Sequence, residues 1–348
     1  MDNRFISFGV RAVSHSGLVP VIEFLEAHQD NLLRILVYHR IGDPEAENGQ
    51  LDPSLLSATP EQLEQQMSFL KGNYRLLSIV DLIRAIDNRE HLPPKSIMVT
   101  FDDGYHDFLD TAWPILERYQ IPTLMFLSTG FLSAGSQMYW WDRLYQGISR
   151  TRRKQLRLSP ACNYPLENKE QRWRAFIELK KKFCTQGNDL ANQYLDRIME
   201  ELDVTINKSD LLMNWCDARH LKERGCYLAG HTRSHPILSR MPVETALQEI
   251  RDSQKDILQE IGEVWPIVAY PSGQSEDCNK DLQPLLQRDG FKLAMSSIPG
   301  INVFPGCDLL RMKRIGLSHR VRLPEFRMIL TGIYHFPITV QAKVLNKD

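Results

Sequence analysis

The chain has no run of 18 apolar residues, no CxxC pair, no HExxH pattern and no excess of charge of either sign. The first absence excludes a transmembrane helix of ordinary length. The six cysteines, at 162, 184, 216, 226, 278 and 307, are scattered, which argues against a secreted disulfide framework and for buried free thiols. With 42 Lys and Arg against 43 Asp and Glu, the net charge is -1. Nucleic-acid binders carry a basic excess, so that class is disfavoured, as is strong attraction to an acidic membrane. The first 30 residues also lack a basic start followed by an apolar run: Leu18 to Ile22 is short, contains Pro20, and is followed by Glu23 and Glu26. No signal peptide is read there. The expected location is cytoplasmic, with peripheral membrane association left open. No internal repeat or low-complexity tract occurs. What is present is ordinary globular composition, 43% hydrophobic and 24% charged over 348 residues, enough for one large core or two modest ones.

Residues 1–33 read as a lead-in with an amphipathic helix near Leu18 to Leu33. From residue 34 to 348 the pattern is one α/β domain. Buried strands are expected at Ile35–Tyr38, Ile97–Phe101, Thr123–Leu127, Cys226–Ala229, Ile267–Tyr270, Phe291–Met295 and Met312–Leu317. Helices alternate with them. Thr59-Pro60-Glu61-Gln62 is a capped start, with Leu63, Met67 and Leu70 on one face and Gly72 as the stop. Further helices are expected at Ser78–Ile86, around Phe108, Ala112, Ile115 and Leu116, at Val243–Ile261 before Gly262, and at Lys280–Arg288. Residues from about 145 to 215 break this rhythm. Their basic clusters, Arg152-Arg153-Lys154 and Lys180-Lys181-Lys182, read as solvated faces of a mostly helical insertion. Six or seven strand–helix units point to barrel-like closure.

Four strand ends carry chemistry. Thr100-Phe101-Asp102-Asp103-Gly104-Tyr105 puts adjacent carboxylates at the end of an apolar strand, where barrel folds place their sites. One can bind a metal while the other acts as a general base; a plain Asp-Gly turn is the competing reading. In His231-Thr232-Arg233-Ser234-His235 the histidines lie together if the segment makes one helical turn, and both can then reach one ion. Two imidazoles and a carboxylate suit Zn²⁺, Fe²⁺, Co²⁺ or Mn²⁺. Tyr270-Pro271-Ser272-Gly273 is a tight turn able to aim backbone N–H groups at an oxyanion. His39, in Tyr38-His39-Arg40, is either a general acid or a satisfied core histidine.

Together these segments resemble the polysaccharide deacetylase family, carbohydrate esterase family 4, over roughly residues 34–135 and 216–320. The resemblance implies a distorted (β/α)7 barrel, here with a helical insertion. It implies a metal-dependent hydrolase that removes acetyl groups from an N-acetylated glycan or carrier-linked sugar. By the same resemblance Asp103, His231 and His235 hold one divalent ion, Zn²⁺ first, with Co²⁺, Mn²⁺, Fe²⁺ or Ni²⁺ as alternatives. Asp102 is then the base, and the backbone N–H of Ser272 serves the oxyanion. Many members open the third motif with Arg; this chain has Ala269. The acid is either His39, as in the branch that includes biofilm poly-N-acetylglucosamine deacetylases, or His319 of Leu317-Ser318-His319; His39 is the choice. Trp140-Trp141-Asp142 resembles an element of some longer relatives, and its indoles either stack on sugar or pack the root of the insertion. Tyr105, Trp141 and Tyr270 are the expected substrate contacts. The alternatives are hydrolysis of another C–N amide or an O-acetyl ester on the same scaffold, or a non-catalytic carbohydrate-binding module.

Overall fold

The computed structural model describes residues 29–44, 52–133, 138–159, 162–185, 188–206, 211–278 and 280–332. The helix expected near Leu18 lies outside them, except that Leu32 and Leu33 already belong to the first strand. Seven strands form the barrel wall: β1 (Leu32–Tyr38), β2 (Ser96–Phe101), β3 (Thr123–Leu127), β4 (Tyr227–Gly230), β5 (Ile267–Ala269), β6 (Leu293–Pro299) and β7 (Met312–Gly316). Each pairs in parallel with the next in sequence. β7 pairs in parallel with β1, at Leu36 against Ile315, which closes the ring. A two-residue strand, Asn302–Val303, adds antiparallel to β1, and Arg75–Leu76 adds to β2.

The two-residue period of the strands feeds two cores. Leu33, Ile35, Met98, Leu124, Phe126, Ala229, Ile267, Ala269, Leu293, Met295 and Met312 form one cluster, which fills the barrel as in other closed α/β rings. Their neighbours Leu36, Tyr38, Ile97, Val99, Phe101 and Met125 pack outward under helices. Those helices include α1 (Pro60–Asn73) and, beyond α2 (Ile79–Asn88), which packs against the inner cluster instead, α3 (Trp113–Arg118). Thr59 and Gln62 form the expected capping box. Gly72 does not stop α1. The helix runs to Asn73 and leaves through Tyr74 in extended conformation, φ -126°, so no left-handed residue is needed there.

After β3, the chain forms α4 (Trp140–Arg150), a hairpin of Gln155–Ser159 against Cys162–Pro165, α5 (Lys169–Thr185) and α6 (Asn188–Leu202). The hairpin was not foreseen; Leu156 and Leu158 alternate buried with exposed neighbours, a two-residue period hidden among the basic residues. Leu144, Ile148, Leu156, Phe176, Leu179, Leu195 and Ile198 give this segment its own core. α7 (Trp215–Glu223) returns the chain to β4. α8 (Val243–Ile261) and α9 (Leu282–Arg288) cover β5 and β6, and α10 (Leu323–Leu330) follows β7. α8 ends at Gly262 with φ 77°, as the glycine predicts.

Candidate metal and catalytic site

At the exit of β2 the ladder runs one residue further, with Asp102 N–H donating to the Tyr38 carbonyl at 3.0 Å. The chain then turns sharply through two left-handed residues, Asp103 (φ 76°) and Gly104 (φ 77°). The left-handed φ of residue 104 is one that L side chains rarely adopt, and a Cβ there would also press on the Leu127 side chain at 2.9 Å, so glycine suits the position. Two donors hold the turn: Tyr139 Oη on the Asp103 carbonyl at 2.7 Å, and Met213 N–H on the Gly104 carbonyl at 2.9 Å. The turn sends the adjacent carboxylates to different partners.

Asp102 faces Arg314, which rises from the inside of β7 and is fully buried. Its Nη1 and Nη2 donate to Oδ1 and Oδ2 at 2.8 and 2.7 Å, and its Nε donates to the Ser296 carbonyl at 2.7 Å. Burial opposes ionisation of Asp102, but the guanidinium outweighs it and the pKa lies below the ordinary value. Arg314 was missed as a site residue. The signal was available: it lies two positions after inward-facing Met312, so strand alternation puts it inside the barrel.

The histidine segment follows β4. His231 N–H donates to Leu127, while the N–H groups of Thr129 and Gly130 donate to the carbonyls of Thr232 and Arg233. Glu249 of α8 accepts from the N–H groups of Arg233 and Ser234 at 3.0 and 2.8 Å. Thr232 and His235 have φ of 65° and 56°. The segment is therefore not the helical turn expected from the spacing, because a turn of α-helix needs negative φ throughout. It is a loop pinned by β3 and Glu249, and it still brings the rings to 4.8 Å between centroids at 79°.

Nε2 of His231 lies 3.5 Å and Nε2 of His235 3.4 Å from Asp103 Oδ1. One ligand atom from each residue falls within 4.8 Å of the other two. Nδ1 of His231 is 2.9 Å from the Ala269 carbonyl. A carbonyl only accepts, so Nδ1 carries the proton of the neutral ring and Nε2 presents its lone pair. Asp103 Oδ1 is buried without a hydrogen-bond donor, a costly state unless a cation sits among the three groups. The donor set thus fits a divalent ion with open positions. Burial raises and the two histidines lower the Asp103 pKa, which ends well below the ordinary value. Burial disfavours protonation of both rings; it holds His235 low, whereas Asp102 and Asp103 raise His231.

A cleft of about 1370 Å³ opens over this cluster, lined by His39, Asp102, Asp103, Trp141, His231, His235, Tyr270 and Ser272 among others. Seven of the nine expected catalytic, metal and substrate-binding residues line it outright. An eighth, Tyr270, also lines it but is buried, its hydroxyl donating to the Leu310 carbonyl at 2.9 Å. Ser272 is left-handed (φ 60°) and donates Oγ to Asp277 at 2.6 Å. Tyr105 does not reach the cleft: it is fully buried, donating its hydroxyl to Asp142 at 2.7 Å, so direct substrate contact is replaced by a supporting place behind the site. His319 is also absent from the lining; its N–H donates to Leu56 at 3.0 Å. Of the two acid candidates, His39 is the one that faces the carboxylates. Among the described residues no helix is long and apolar enough to cross a membrane.

The sequence profile described as Polysaccharide deacetylase matches residues 89–154 and 178–294. A poly-beta-1,6-N-acetyl-D-glucosamine N-deacetylase of Escherichia coli K12 is 32% identical over 88 residues, covering 25% of this chain and 12% of that protein. One from Staphylococcus epidermidis is 25% identical over 115 residues, covering 31% and 39%. The chain thus spans well under half the length of these curated relatives. Among solved structures, a Streptococcus pyogenes deacetylase in complex with acetate superposes with TM-score 0.58 at 20% identity, over 87% of this chain and 99% of that one.

Proposed function

Because the chain belongs to the polysaccharide deacetylase family, whose profile covers more than half of it, we propose that it hydrolyses the acetamide of an N-acetylated sugar, in a polysaccharide or glycan precursor, releasing acetate and a free amine. The observation that carries this is the pairing of two unlike carboxylates: Asp102 ionised against Arg314, and Asp103 left undonated between two imidazoles. A divalent ion held by Asp103, His231 and His235, Zn²⁺ first, would supply Lewis-acid polarisation of the acetamide carbonyl and a water of lowered pKa. Asp102 is placed at the cleft floor to take the proton of the attacking water. Arg314 fixes its orientation with both oxygens engaged. The Ser272 turn offers a backbone N–H toward the developing oxyanion. His39, on the cleft wall, gives its proton to the departing nitrogen. Trp141 and the ring of Tyr270 offer aromatic faces to the sugar.

The names of the bacterial relatives support an N-acetylglucosamine unit as the sugar. A carrier-linked precursor met at a membrane surface belongs to the same reading. So does a reducing, cytoplasmic setting, which the six free cysteines support. The test is acetate release from N-acetylated oligomers by protein stripped of metal and reloaded with Zn²⁺, Co²⁺ or Mn²⁺. Release is expected to return with metal and to vanish in His231→Ala. No release under any metal, from oligomers or carrier-linked sugars, would overturn the assignment.

A further inference from the structure

The insertion meets the turn that carries Asp103 at both of its ends. At its entry Tyr139 donates to the Asp103 carbonyl; at its exit Leu211 accepts from His106 N–H at 2.9 Å and Met213 donates to Gly104. Between the ends runs a chain of polar contacts, buried from Asp52 inward and half-buried at Lys180. The Lys180 ammonium of α5 pairs with the Asp52 carboxylate. The Asp52 N–H donates to Asp142 Oδ1 at 2.9 Å, and Tyr105 Oη donates to Asp142 Oδ2 at 2.7 Å. Trp141 Nε1 then donates to Tyr105 Oη at 2.8 Å. Trp141 lies parallel to Tyr139 with centroids 4.4 Å apart, and both rings stand against His235, at 5.0 and 5.4 Å. The guanidinium of Arg40 covers Tyr105 at 5.4 Å.

Burying Asp52 and Asp142 is a poor way to stabilise a fold, since apolar residues of like volume do as well or better. It is an effective way to hold one geometry, because each oxygen has a directional partner. We propose that the insertion is a positioning element for the metal centre, with Lys180, Asp52, Asp142, Tyr105 and Trp141 as a relay that fixes His235 and the Asp103 turn; this rests on the metal-site reading above. None of the relay residues is placed as a ligand of the ion, although Trp141 and Lys180 also line the cleft. Their effect is on how tightly and in what geometry the ion is held. Partners behind metal ligands typically change affinity by about 10- to 100-fold when removed.

The experiment is Co²⁺ titration of the full chain, read by the visible spectrum of the bound ion and by chelator competition. Tyr105→Phe removes the hydroxyl that joins Trp141 to Asp142, and is expected to weaken Co²⁺ about tenfold or more and shift the spectrum. Lys180→Met is expected to act in the same direction but less, and Lys180→Arg to restore binding. Lys182→Met, on the same helix, removes a contact with Tyr164 inside the insertion (2.6 Å) and is expected to leave affinity unchanged. Wild-type affinity in both Tyr105→Phe and Lys180→Met would overturn the relay, as would an equal loss in Lys182→Met, which would mean general softening. A wild-type chain that binds no Co²⁺ would instead overturn the metal centre itself.

Discussion

The barrel mouth and the insertion beside it are built on opposite terms. The mouth buries Asp102, Asp103, His231 and Arg314, none more than 3% exposed. The insertion's core is mainly apolar, with Gln146 and Thr151 buried at its edge, and its basic residues Arg152, Arg153 and Lys181 are exposed. Apolar burial stabilises by about 25 cal/mol per Å², whereas each buried ion costs several kcal/mol before its partner repays it. The insertion is therefore what the chain folds to when stability decides. The mouth is what it folds to when a geometry must be kept at some loss of stability. Changes in the mouth should act on chemistry or break an uncompensated charge.

The largest effect is expected from Asp102→Asn. The amide keeps the shape and an acceptor for Arg314 but cannot take a proton, so turnover should fall about a thousandfold, within the range for a general base. Metal affinity should stay near wild type. Steady-state rates and Co²⁺ titration check the pair; a wild-type rate with metal bound would remove Asp102 from the chemistry. Next is Arg314→Met, which keeps an apolar stem and leaves Asp102 buried without its cation. Breaking such a pair typically costs about 3–5 kcal/mol, to be read from the denaturant midpoint. A loss below about 1 kcal/mol would mean that the mouth relaxes as freely as a surface does.

The same contrast decides what could be read from the sequence. The seven strands were legible because a buried parallel strand is a short apolar run between turn residues. The cluster of Asp102, Asp103, His231 and His235 was legible because strand-end placement and motif order reinforce each other. Arg314 and Glu249 were not, since each acts across the chain: one reaches the site from β7, the other holds the histidine loop from α8. Nothing local marks such partners except their inward phase. The hairpin after α4 was hidden because its polar face, Gln155, Arg157 and Ser159, resembles a solvated helix in composition. Tyr105 was misplaced by proximity to Asp103 along the chain; the left-handed pair Asp103 and Gly104 turns it inward.

Asp142 lies on the seam between the two regions, and its pKa gives a third test. Burial pushes the carboxyl up to about 7 from 3.8, against the pull of the Asp52 N–H, the Tyr105 hydroxyl and Arg40. Between those values the folded chain holds a proton that the unfolded chain releases. Its contribution is therefore full below about pH 4 and lost as pH rises through 7. Three pKa units correspond to at most about 4 kcal/mol. Asp142→Asn should remove this slope, so the variant should gain on wild type between pH 5 and 8. Asp102 and His231 titrate in both proteins, so the difference isolates Asp142. Parallel denaturant midpoints at the two pH values would show that the seam carboxyl is solvated in solution.

The smallest effect is expected where the geometry of the mouth is repeated outside it. Arg251 of α8 donates Nε and Nη2 to the two oxygens of Asp289 at 2.6 and 2.9 Å. That is a fork as well formed as the one between Arg314 and Asp102. Here the arginine is 44% exposed, so water replaces the partner when it is lost and salt screens the pair while it exists. Arg251→Ala should leave the melting temperature within scan error and turnover unchanged. If it destabilised the chain as much as Arg314→Met, hydrogen-bond geometry rather than burial would set the value of these pairs. The division between mouth and exterior would then rest on composition alone. If only the buried fork proves costly to break, the same two side chains have opposite worth according to where the barrel puts them.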